Sequence, residues 1–455
     1  MKYRIKITPI DRWVINPVNR FIGKSTTGGI VLFLSAIVAL ILANSPWKDA
    51  YHHIWEHKIA FGIDDKFMLD KTLHHWINDG LMAVFFFVVG LELKREIIGG
   101  ELSNPKKALL PVAAGIGGML FPAVIYLFFN PTGDAHSGWG IPMATDIAFA
   151  LGVLFLLGDK VPTSLKVFLT ALAIADDLGA VLVIAFFYTS DISFTSLIVG
   201  SAFLILLIVS NVIGIRNTFY YGILGVGGLW LAFLVSGVHA TIAGVLAAFT
   251  IPANVKVDEV GFVAKMKEYL HDFKNADPND VPTVTPEQLH ILEDMRTLTK
   301  QAMTPLQRLE HAMHPFVTYV VMPIFALANA GVTLSSDTAS TTTSYVAIGV
   351  ISGLLLGKFI GIVGVSSLLV KLKIANLPEG MNFKHLMGVG LLASIGFTMS
   401  LFIANLAFKN PEYIQQAKIG ILVASLIGGT LGFLFLYFNK DKSQSKVLIK
   451  NTNLH

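Results

Sequence analysis

Long apolar stretches, separated by short polar ones, make up most of the chain. Twelve of them approach the roughly 20 residues that an α-helix needs to cross the hydrocarbon core of a bilayer. The seventh and eighth are short and nearly continuous, so a count of eleven is compatible with the same pattern. The pattern predicts an all-α polytopic membrane protein with about 12 transmembrane helices in a single domain, residues 1–455. The predicted spans are 26–44, 76–97, 108–129, 141–158, 163–188, 194–213, 218–235, 237–252, 311–332, 344–372, 383–408 and 415–438.

The basic residues orient these predicted helices. If the amino terminus is cytoplasmic, 27 of the 34 Lys and Arg residues lie in or beside cytoplasmic segments, and four of the six outer loops have none. Cytoplasmic loops of membrane proteins carry an excess of Lys and Arg, so both termini are predicted to be cytoplasmic. Residues 1–25 then form a cytoplasmic segment rather than a cleaved signal peptide, and residues 439–455 form a cytoplasmic tail.

The predicted outer loop at 45–75 has a pattern of its own. Polar and apolar residues alternate along 58–63 and 66–69, on either side of Asp64-Asp65. Alternation with a period of two is typical of β-strands. We therefore expect a small β-hairpin, although its turn lacks the usual glycine.

The longest polar interruption, residues 253–310, is charged and cytoplasmic by this topology. Its stretch Thr285-Pro286-Glu287-Gln288 has the form of a capping box with proline at the first helical position. Apolar residues then recur at every third position: Leu289, Leu292, Met295 and Leu298. This spacing favours a short amphipathic helix on the membrane surface or against the bundle, and a disordered linker is the alternative.

Composition agrees with a lipid environment and removes several chemistries. Charged residues are 14% of the chain, against about 25% in soluble domains. The chain has no cysteine, which excludes disulfides, thiolate metal sites and cysteine nucleophiles. Gly23-Lys24-Ser25-Thr26 resembles part of a phosphate-binding loop, but Val18 stands where that motif needs a glycine. We therefore expect no ATP site, no nucleic-acid partner and no cofactor.

Four charged residues lie far from either predicted membrane surface: Asp146, Asp176, Asp177 and Lys358. Each costs about 2.5–3.5 kcal/mol at a helix centre, so they must face one another or a water-filled cavity. A purely structural Asp–Lys pair does not explain why three carboxylates accompany one ammonium group. The excess of acid predicts a cation site. Oxygen ligands without sulfur suit a hard cation such as Na⁺, Li⁺ or H⁺.

The adjacent pair Asp176 and Asp177 cannot point in one direction, because successive helical residues lie about 100° apart. One of the two can therefore pair with Lys358 while the other faces the ion path. Thr145 adds a hydroxyl group beside Asp146.

The fourth and eleventh spans each contain a break near the middle. The weak points are Ile141-Pro142 and Thr145-Asp146 in the fourth, and residues 394–398 in the eleventh. The two spans are seven positions apart, an odd number, so they cross the membrane in opposite directions. This predicts two inverted three-helix repeats, spans 3–5 and 10–12, with crossed broken helices in spans 4 and 11. Asp146 would offset the positive ends of the half-helices, and Lys358 the negative ends.

Several motifs, in order along the chain, resemble the NhaA sodium/proton antiporter family, and the similarity covers about residues 12–438. These motifs are Pro142-Met143-Ala144-Thr145-Asp146-Ile147-Ala148-Phe149-Ala150-Leu151-Gly152, Ala173-Ile174-Ala175-Asp176-Asp177-Leu178-Gly179-Ala180, Ser236-Gly237-Val238-His239-Ala240-Thr241, Arg308-Leu309-Glu310-His311 and Gly396-Phe397-Thr398-Met399-Ser400. Inverted repeats with broken helices are known in this family, so the repeat prediction is not independent of the resemblance. The resemblance implies an electrogenic, pH-regulated exchanger of the bacterial inner membrane, often a homodimer, that exports Na⁺ or Li⁺ against H⁺ and serves sodium and pH homeostasis.

The resemblance also implies roles for single residues. Asp177 is similar to the family's main ion ligand and Asp176 to the carboxylate that pairs with a lysine, here Lys358. Thr145 and Asp146 match the broken-helix pair, and the outer hairpin resembles the family's dimer contact. The residues that match those linked to ion access and pH response are Asp79, Glu92, Glu96, Arg308, Glu310, His311 and His314.

Two points stay open at the level of sequence. His239 begins the eighth span, where a packing or interfacial role competes with proton sensing. The loop at 253–310 is longer than the family pattern, so the resemblance does not imply a pH set point.

Three rival functions compete with ion exchange. A sodium-coupled solute symporter should have a roomy pocket for an organic substrate, and a cation channel should show no transport stoichiometry. A membrane enzyme would need catalytic groups near one membrane face, and the predicted spans contain no known enzyme motif.

Overall fold

The computed structural model of the protein describes residues 27–63, 67–189, 193–276, 283–333 and 341–439. The amino-terminal segment, the Asp64-Asp65 turn and the tail beyond residue 439 lie outside the described residues. Most of the described chain is helical, and each of the twelve predicted apolar segments contains a helix.

The α-helices and strands follow one another along the chain with the bounds below. They are α1 (Thr27–Ala43), α2 (Lys48–Glu56), β1 (Lys58–Ile63), β2 (Phe67–Thr72), α3 (Leu73–His75), α4 (Met82–Gly99), α5 (Pro105–Phe129), α6 (Ile147–Leu156), α7 (Thr163–Phe187), α8 (Phe194–Ile213), α9 (Thr218–Leu224), α10 (Leu231–Leu234), α11 (Ala240–Thr250), α12 (Glu259–Asn275), α13 (Pro286–Ala302), α14 (Pro305–Phe316), α15 (Met322–Asn329), α16 (Tyr345–Ser352), α17 (Lys358–Lys371), α18 (Phe383–Leu392), α19 (Phe397–Ala407) and α20 (Pro411–Phe438).

Seven of the described helical stretches are long and apolar enough to cross a membrane, and counting each bent helix pair as one span gives nine. Shorter apolar helices at Thr218–Leu234 and Ala240–Thr250 occupy the predicted seventh and eighth spans. The outer surface is apolar too: Phe128, Phe186 and Val212 are 81, 77 and 83% exposed. Exposed apolar area on this scale marks a surface that contacts lipid, so the chain is a multi-pass membrane protein.

Both predicted helix breaks are present. The fourth span consists of a 3₁₀ helix (Asp134–Met143), an extended stretch at 144–146 and then α6, so it begins earlier than the predicted residue 141. The eleventh consists of α18 and α19, which bend by 45°. Pro142 removes a backbone donor from the first break. At the second, the Ser394 hydroxyl donates to the Leu391 carbonyl at 2.5 Å and so competes with the helical ladder.

The outer loop contains the expected hairpin. Strands β1 and β2 pair antiparallel, from Lys58 opposite Thr72 to Ile63 opposite Phe67. The Trp76 indole donates to the Ile59 carbonyl at 3.1 Å, which ties β1 to the start of the second span.

The region at 253–310 is folded wherever it is described, so the linker alternative is wrong for those residues. The capping box that starts α13 is present: the Gln288 amide donates to the Thr285 hydroxyl, and the Thr285 amide donates to the Gln288 side chain, each at 3.1 Å. Helix α12 was not expected. Asp258 caps its amino terminus, with its carboxylate accepting a hydrogen bond from the Gly261 amide at 3.1 Å.

The helix of the ninth span begins at Pro305 rather than at the predicted residue 311. Thr304 caps it by accepting a hydrogen bond from the Gln307 amide at 3.1 Å. The first turn is polar, which is why hydropathy placed the boundary too late. Arg308 and Glu310 therefore belong to a helix of the bundle and not to the end of a loop.

Four segments of the described chain are π-helical, with backbone hydrogen bonds that span one residue more than those of an α-helix. They are Trp76–Leu81, Gly225–Trp230, Val317–Val321 and Gly353–Gly357. Segments of this kind are frequent at functional sites, and the last of them leads directly into Lys358.

Glycines let α5 and α17 cross in backbone contact. A Cβ at Gly361 would collide with the carbonyl oxygen of Gly117, and a Cβ at Gly117 would lie 2.5 Å from that of Gly361. Small residues permit such close approach in membranes, where packing rather than the hydrophobic effect drives helix association. The crossing positions Lys358, one turn before Gly361.

We expect Gly361→Ala to destabilise the protein by about 1–3 kcal/mol, because the added methyl overpacks this crossing. Gly364→Ala is the matched control, since a Cβ there has no atom within 4 Å and makes the same gain in helix propensity. Melting temperatures in detergent measure both effects. Equal melting temperatures for the two variants would show that the crossing is not tight.

Candidate functional site

The two broken helices meet at one carboxylate. Asp146 Oδ1 accepts from the Phe149 amide at 2.9 Å, in the first turn of α6. Its Oδ2 accepts from the Thr398 amide at 3.1 Å and from the Thr398 hydroxyl. Because Thr398 lies in the first turn of α19, Asp146 caps the amino termini of both half-helices. Those termini carry positive partial charge, which the carboxylate offsets.

Backbone groups left free by the breaks find partners across the crossing. The Asp146 amide donates to the Ile395 carbonyl at 2.7 Å. The Thr145 hydroxyl donates to the Ala393 carbonyl at 3.1 Å. Irregular backbone is tolerated at membrane depth only where such partners exist, so each broken helix depends on the other.

Lys358 forms an ion pair with Asp176. Its Nζ lies 2.5 Å from Asp176 Oδ2, and the two side chains are 0 and 1% exposed. Within the described residues this is the only hydrogen bond that the Lys358 side chain makes, so its predicted role at the negative half-helix ends stays a prediction. The Lys358 side chain runs past Gly118, which leaves room for it.

Asp177 is as buried as its neighbour but differs in its contacts. Neither of its carboxylate oxygens has a hydrogen-bond partner among the described residues, and the same holds for Asp176 Oδ1. The carboxylates of Asp176, Asp146 and Glu92 all act electrostatically on Asp177, with Lys358 opposing them. Three buried oxygens therefore lack a partner among the described residues and lie among other acidic groups. Oxygens of this kind are suitable ligands for a hard cation.

A cavity of about 860 Å³ opens beside this site. Its lining includes the charged residues Glu92, Arg95 and Glu310 as well as Ile147 and Ile174. Ile147 directly follows Asp146, and Ile174 lies one helical turn before Asp177. The cavity therefore connects a cluster of charged residues with the neighbourhood of the buried carboxylates.

Arg95 holds that charged cluster together. It donates to Glu310 on α14 and, at 2.9 Å, to Glu96 on its own helix. His311 and His314 line the same cavity. The predicted regulatory residues Glu92, Glu96, Glu310, His311 and His314 are thus brought together, whereas the Nε of Arg308 is buried and has no partner among the described residues.

Asp79 and His239 lie apart from the cluster around Arg95. Asp79 is near the start of the second span, and His239 is close to it. His75 Nε2 is 3.1 Å from Asp79 Oδ2, and His239 Nε2 lies 2.8 Å from the Tyr188 carbonyl. His239 is also close enough to act electrostatically on Asp79. At a rise of 1.5 Å per residue, Asp79 is about 20 Å from Glu92, so the second-span acids form two separate groups.

Sequence reasoning missed two site residues. Thr398 was noted as part of a helix break and of a family motif, and nothing in the sequence showed that it would donate to Asp146. Arg95 lies in the predicted second span, between Glu92 and Glu96, but was not assigned a role. Its position beside Glu92 and Glu96 was the available signal.

The fold and the site together define a multi-pass membrane transporter, with ionisable residues buried where two broken helices cross. The chain belongs to the family described as Na⁺/H⁺ antiporter 1, whose sequence pattern matches residues 19–436.

Two similar proteins show how far the relationship extends. The Na⁺/H⁺ antiporter NhaA of Oleidesulfovibrio alaskensis is 50% identical over 429 residues, which cover 94% of this chain and 95% of that protein. The Na⁺/H⁺ antiporter NhaA of Acidithiobacillus ferrooxidans is 50% identical over 428 residues, which cover 93% of this chain and 98% of that protein.

We expect Lys358→Ala to lower the melting temperature in detergent strongly, because removing one partner of a buried ion pair costs about 3–5 kcal/mol. The loss should be smaller when Asp176→Asn is already present. Melting temperatures of both single variants and the double variant form the required cycle. Additive losses would rule out direct coupling between the two side chains.

Thr398→Val should destabilise the crossing by about 1–3 kcal/mol, since it leaves one hydrogen bond to a buried carboxylate unmade while keeping the side-chain volume. Thr398→Ser keeps the hydroxyl and is the matched control. Thermal unfolding in detergent distinguishes them. If valine and serine behave alike, the hydroxyl does not support Asp146.

Proposed function

We propose that this protein is a secondary antiporter that exports Na⁺ or Li⁺ in exchange for H⁺. The observation that carries the proposal is the pair of buried neighbours Asp176 and Asp177, of which one is neutralised by Lys358 and the other has no protein partner among the described residues. An uncompensated carboxylate in a low-dielectric interior is costly. A bound Na⁺ or a bound proton would each relieve that cost.

Exchange follows from competition at these carboxylates. Na⁺ requires the ionised oxygens of Asp177 and its neighbours, and a proton removes the charge that holds Na⁺. Each ion therefore displaces the other, so a site that opens alternately to the two sides would couple their movements. Asp146 and Thr145 lie at the crossing of the half-helices beside the site. We assign them a supporting role in ion binding.

Membership in the antiporter family supports exchange over symport or channel conduction. We further propose electrogenic exchange, twelve spans with both termini cytoplasmic, and inverted repeats formed by spans 3–5 and 10–12. The basic residues support this orientation, and the bacterial inner membrane is the location that fits it. The role is homeostasis of sodium and pH.

Two regulatory proposals rest on the placement of charges. The cluster around Arg95 lines the cavity that reaches toward Ile147 and Ile174, so a change in its charge would alter the field along the ion's approach. We assign Glu92, Glu96, Arg308, Glu310, His311 and His314 to pH response, with Asp79 and His239 at the other end of the second span. The outer hairpin is the proposed contact of a homodimer.

Asp177→Asn should abolish exchange while leaving the folded protein in the membrane, because the amide keeps the shape of the side chain but has neither the negative charge that holds Na⁺ nor a proton to exchange. Asp272→Asn, on the exposed surface of α12, is the matched control and should exchange normally. The assay uses everted vesicles with a preformed ΔpH, to which Na⁺ or choline chloride is added.

Na⁺ should dissipate the ΔpH in the control variant, and choline should not. Normal Na⁺-dependent collapse of the gradient in Asp177→Asn would overturn the assignment of the ion site. Collapse by choline in the control would overturn ion exchange itself.

A further inference from the structure

Helices α12 and α13 form a two-helix hairpin within the polar region 253–310. The Lys256 amide donates to the Gln301 carbonyl at 2.9 Å. These residues lie just before α12 and near the end of α13, so the start of one helix is close to the end of the other. The helices are therefore antiparallel. Ile291 and Leu298 are the buried residues of α13, and the half-buried positions of α12 include Phe262, Met266, Tyr269 and Phe273.

A second stripe of α12 is not buried by this packing. Residues at positions 260, 263, 267, 270 and 274 recur at the spacing of one helix face, and they are Val260, Val263, Lys267, Leu270 and Lys274. The three apolar members are 77, 45 and 56% exposed. The stripe is therefore apolar with lysines among the apolar residues.

Helix α13 repeats the pattern. Leu289, Leu292, Arg296 and Lys300 lie on one face at helical spacing, and the two leucines are 50 and 39% exposed. Glu293 borders this stripe on one side.

The two stripes lie on the same side of the hairpin. Successive helical residues lie about 100° apart around the helix axis. On each helix, the centre of the stripe lies roughly 110–140° around the axis from the centre of the packed face, measured in the sense in which residue numbers increase. The two helices face each other and run in opposite directions. A rotation of similar size and of the same sense along each chain therefore leads to the same side of the hairpin. The result is a continuous face of five apolar and four basic side chains, which we call the basic–apolar face.

Charge is largely separated around the hairpin, with only Glu259 and Glu293 at the border of the basic–apolar face. On α12, Glu268 and Asp272 lie away from the basic–apolar face, and on α13 Glu287 and Asp294 do so. Lys265 also lies on the far side of α12. A helix with apolar residues and lysines on one face and acids on the other is typical of segments that lie in the membrane interface.

We propose that the basic–apolar face rests on the membrane surface and binds anionic lipid headgroups. The apolar side chains would enter the boundary between headgroups and acyl chains, and the Lys and Arg side chains would extend to the phosphates. The hairpin is attached at both ends to helices of the bundle, through residues 251–258 after α11 and 303–304 before α14. These short connections keep it near the level at which those helices leave the bilayer.

Charge complementarity favours the membrane over a protein partner, because an anionic leaflet attracts each nearby Lys or Arg regardless of sequence. A second copy of the chain would bring the same four positive charges against its own. Such a contact would be repulsive on this face.

The absence of cysteine from the chain permits a direct test in the full-length protein. The single substitutions Val263→Cys and Leu292→Cys on the face, and Lys265→Cys and Asp272→Cys away from it, would each carry an environment-sensitive fluorophore. The labelled protein is reconstituted in phosphatidylcholine vesicles with or without phosphatidylglycerol, and nitroxide-labelled lipid quenches fluorophores that contact the membrane.

Quenching at 263 and 292 should exceed that at 265 and 272, should require phosphatidylglycerol, and should weaken at high salt. Lys267→Ala should reduce the docked fraction relative to the undocked one about fivefold, whereas the matched variant Lys265→Ala should not change it.

Three results would overturn the proposal. One is equal quenching on the two sides of the hairpin in anionic vesicles. The second is an equal effect of Lys267→Ala and Lys265→Ala. The third is protection of 263 and 292 that is independent of lipid charge and rises with protein density, which would assign the face to a protein contact instead.

Discussion

The double cap at Asp146 is the contact on which the rest of the site depends. One carboxylate satisfies the amino termini of two half-helices that come from distant parts of the chain. In lipid there is no water to hydrogen-bond those amides, so neither break would be stable without the other. The crossing also fixes Thr145 beside its partner carbonyl at Ala393. A transport site can thus be made from irregular backbone at a depth where irregular backbone is otherwise excluded.

The buried charged side chains likewise depend on their partners. Three carboxylates accompany one ammonium group, and each is treated differently: Asp146 is capped by helix amides, Asp176 is paired with Lys358, and Asp177 has no protein partner among the described residues. Asp146 and Asp176 thus stabilise the fold. The third, Asp177, is the carboxylate that we propose binds the ion. The division follows from geometry, because successive residues of α7 cannot both reach the same lysine.

Sequence alone predicted the apolar helices, both helix breaks and the four buried charges, because the penalty for polar groups in lipid leaves a strong pattern. It placed the start of α14 too late and missed α12, since amphipathic surface helices resemble ordinary polar loops in hydropathy. It also did not predict that Thr398 would bond to Asp146, since that contact joins residues 252 positions apart. Long-range pairing of this kind depends on the assembled bundle. Single-residue roles at the ion site stay predictions of the family resemblance.

The π-helical segment Gly353–Gly357 has a consequence for how this protein can vary. Such a segment holds one residue more than an α-helical path of the same length. Removing a single residue there would restore a regular helix and leave its two halves in about the same orientation relative to each other. Insertions and deletions of one residue, usually confined to loops, are thus structurally permitted inside this membrane helix. The number of residues between its two halves can therefore change by insertion or deletion, a kind of variation that substitutions alone cannot produce.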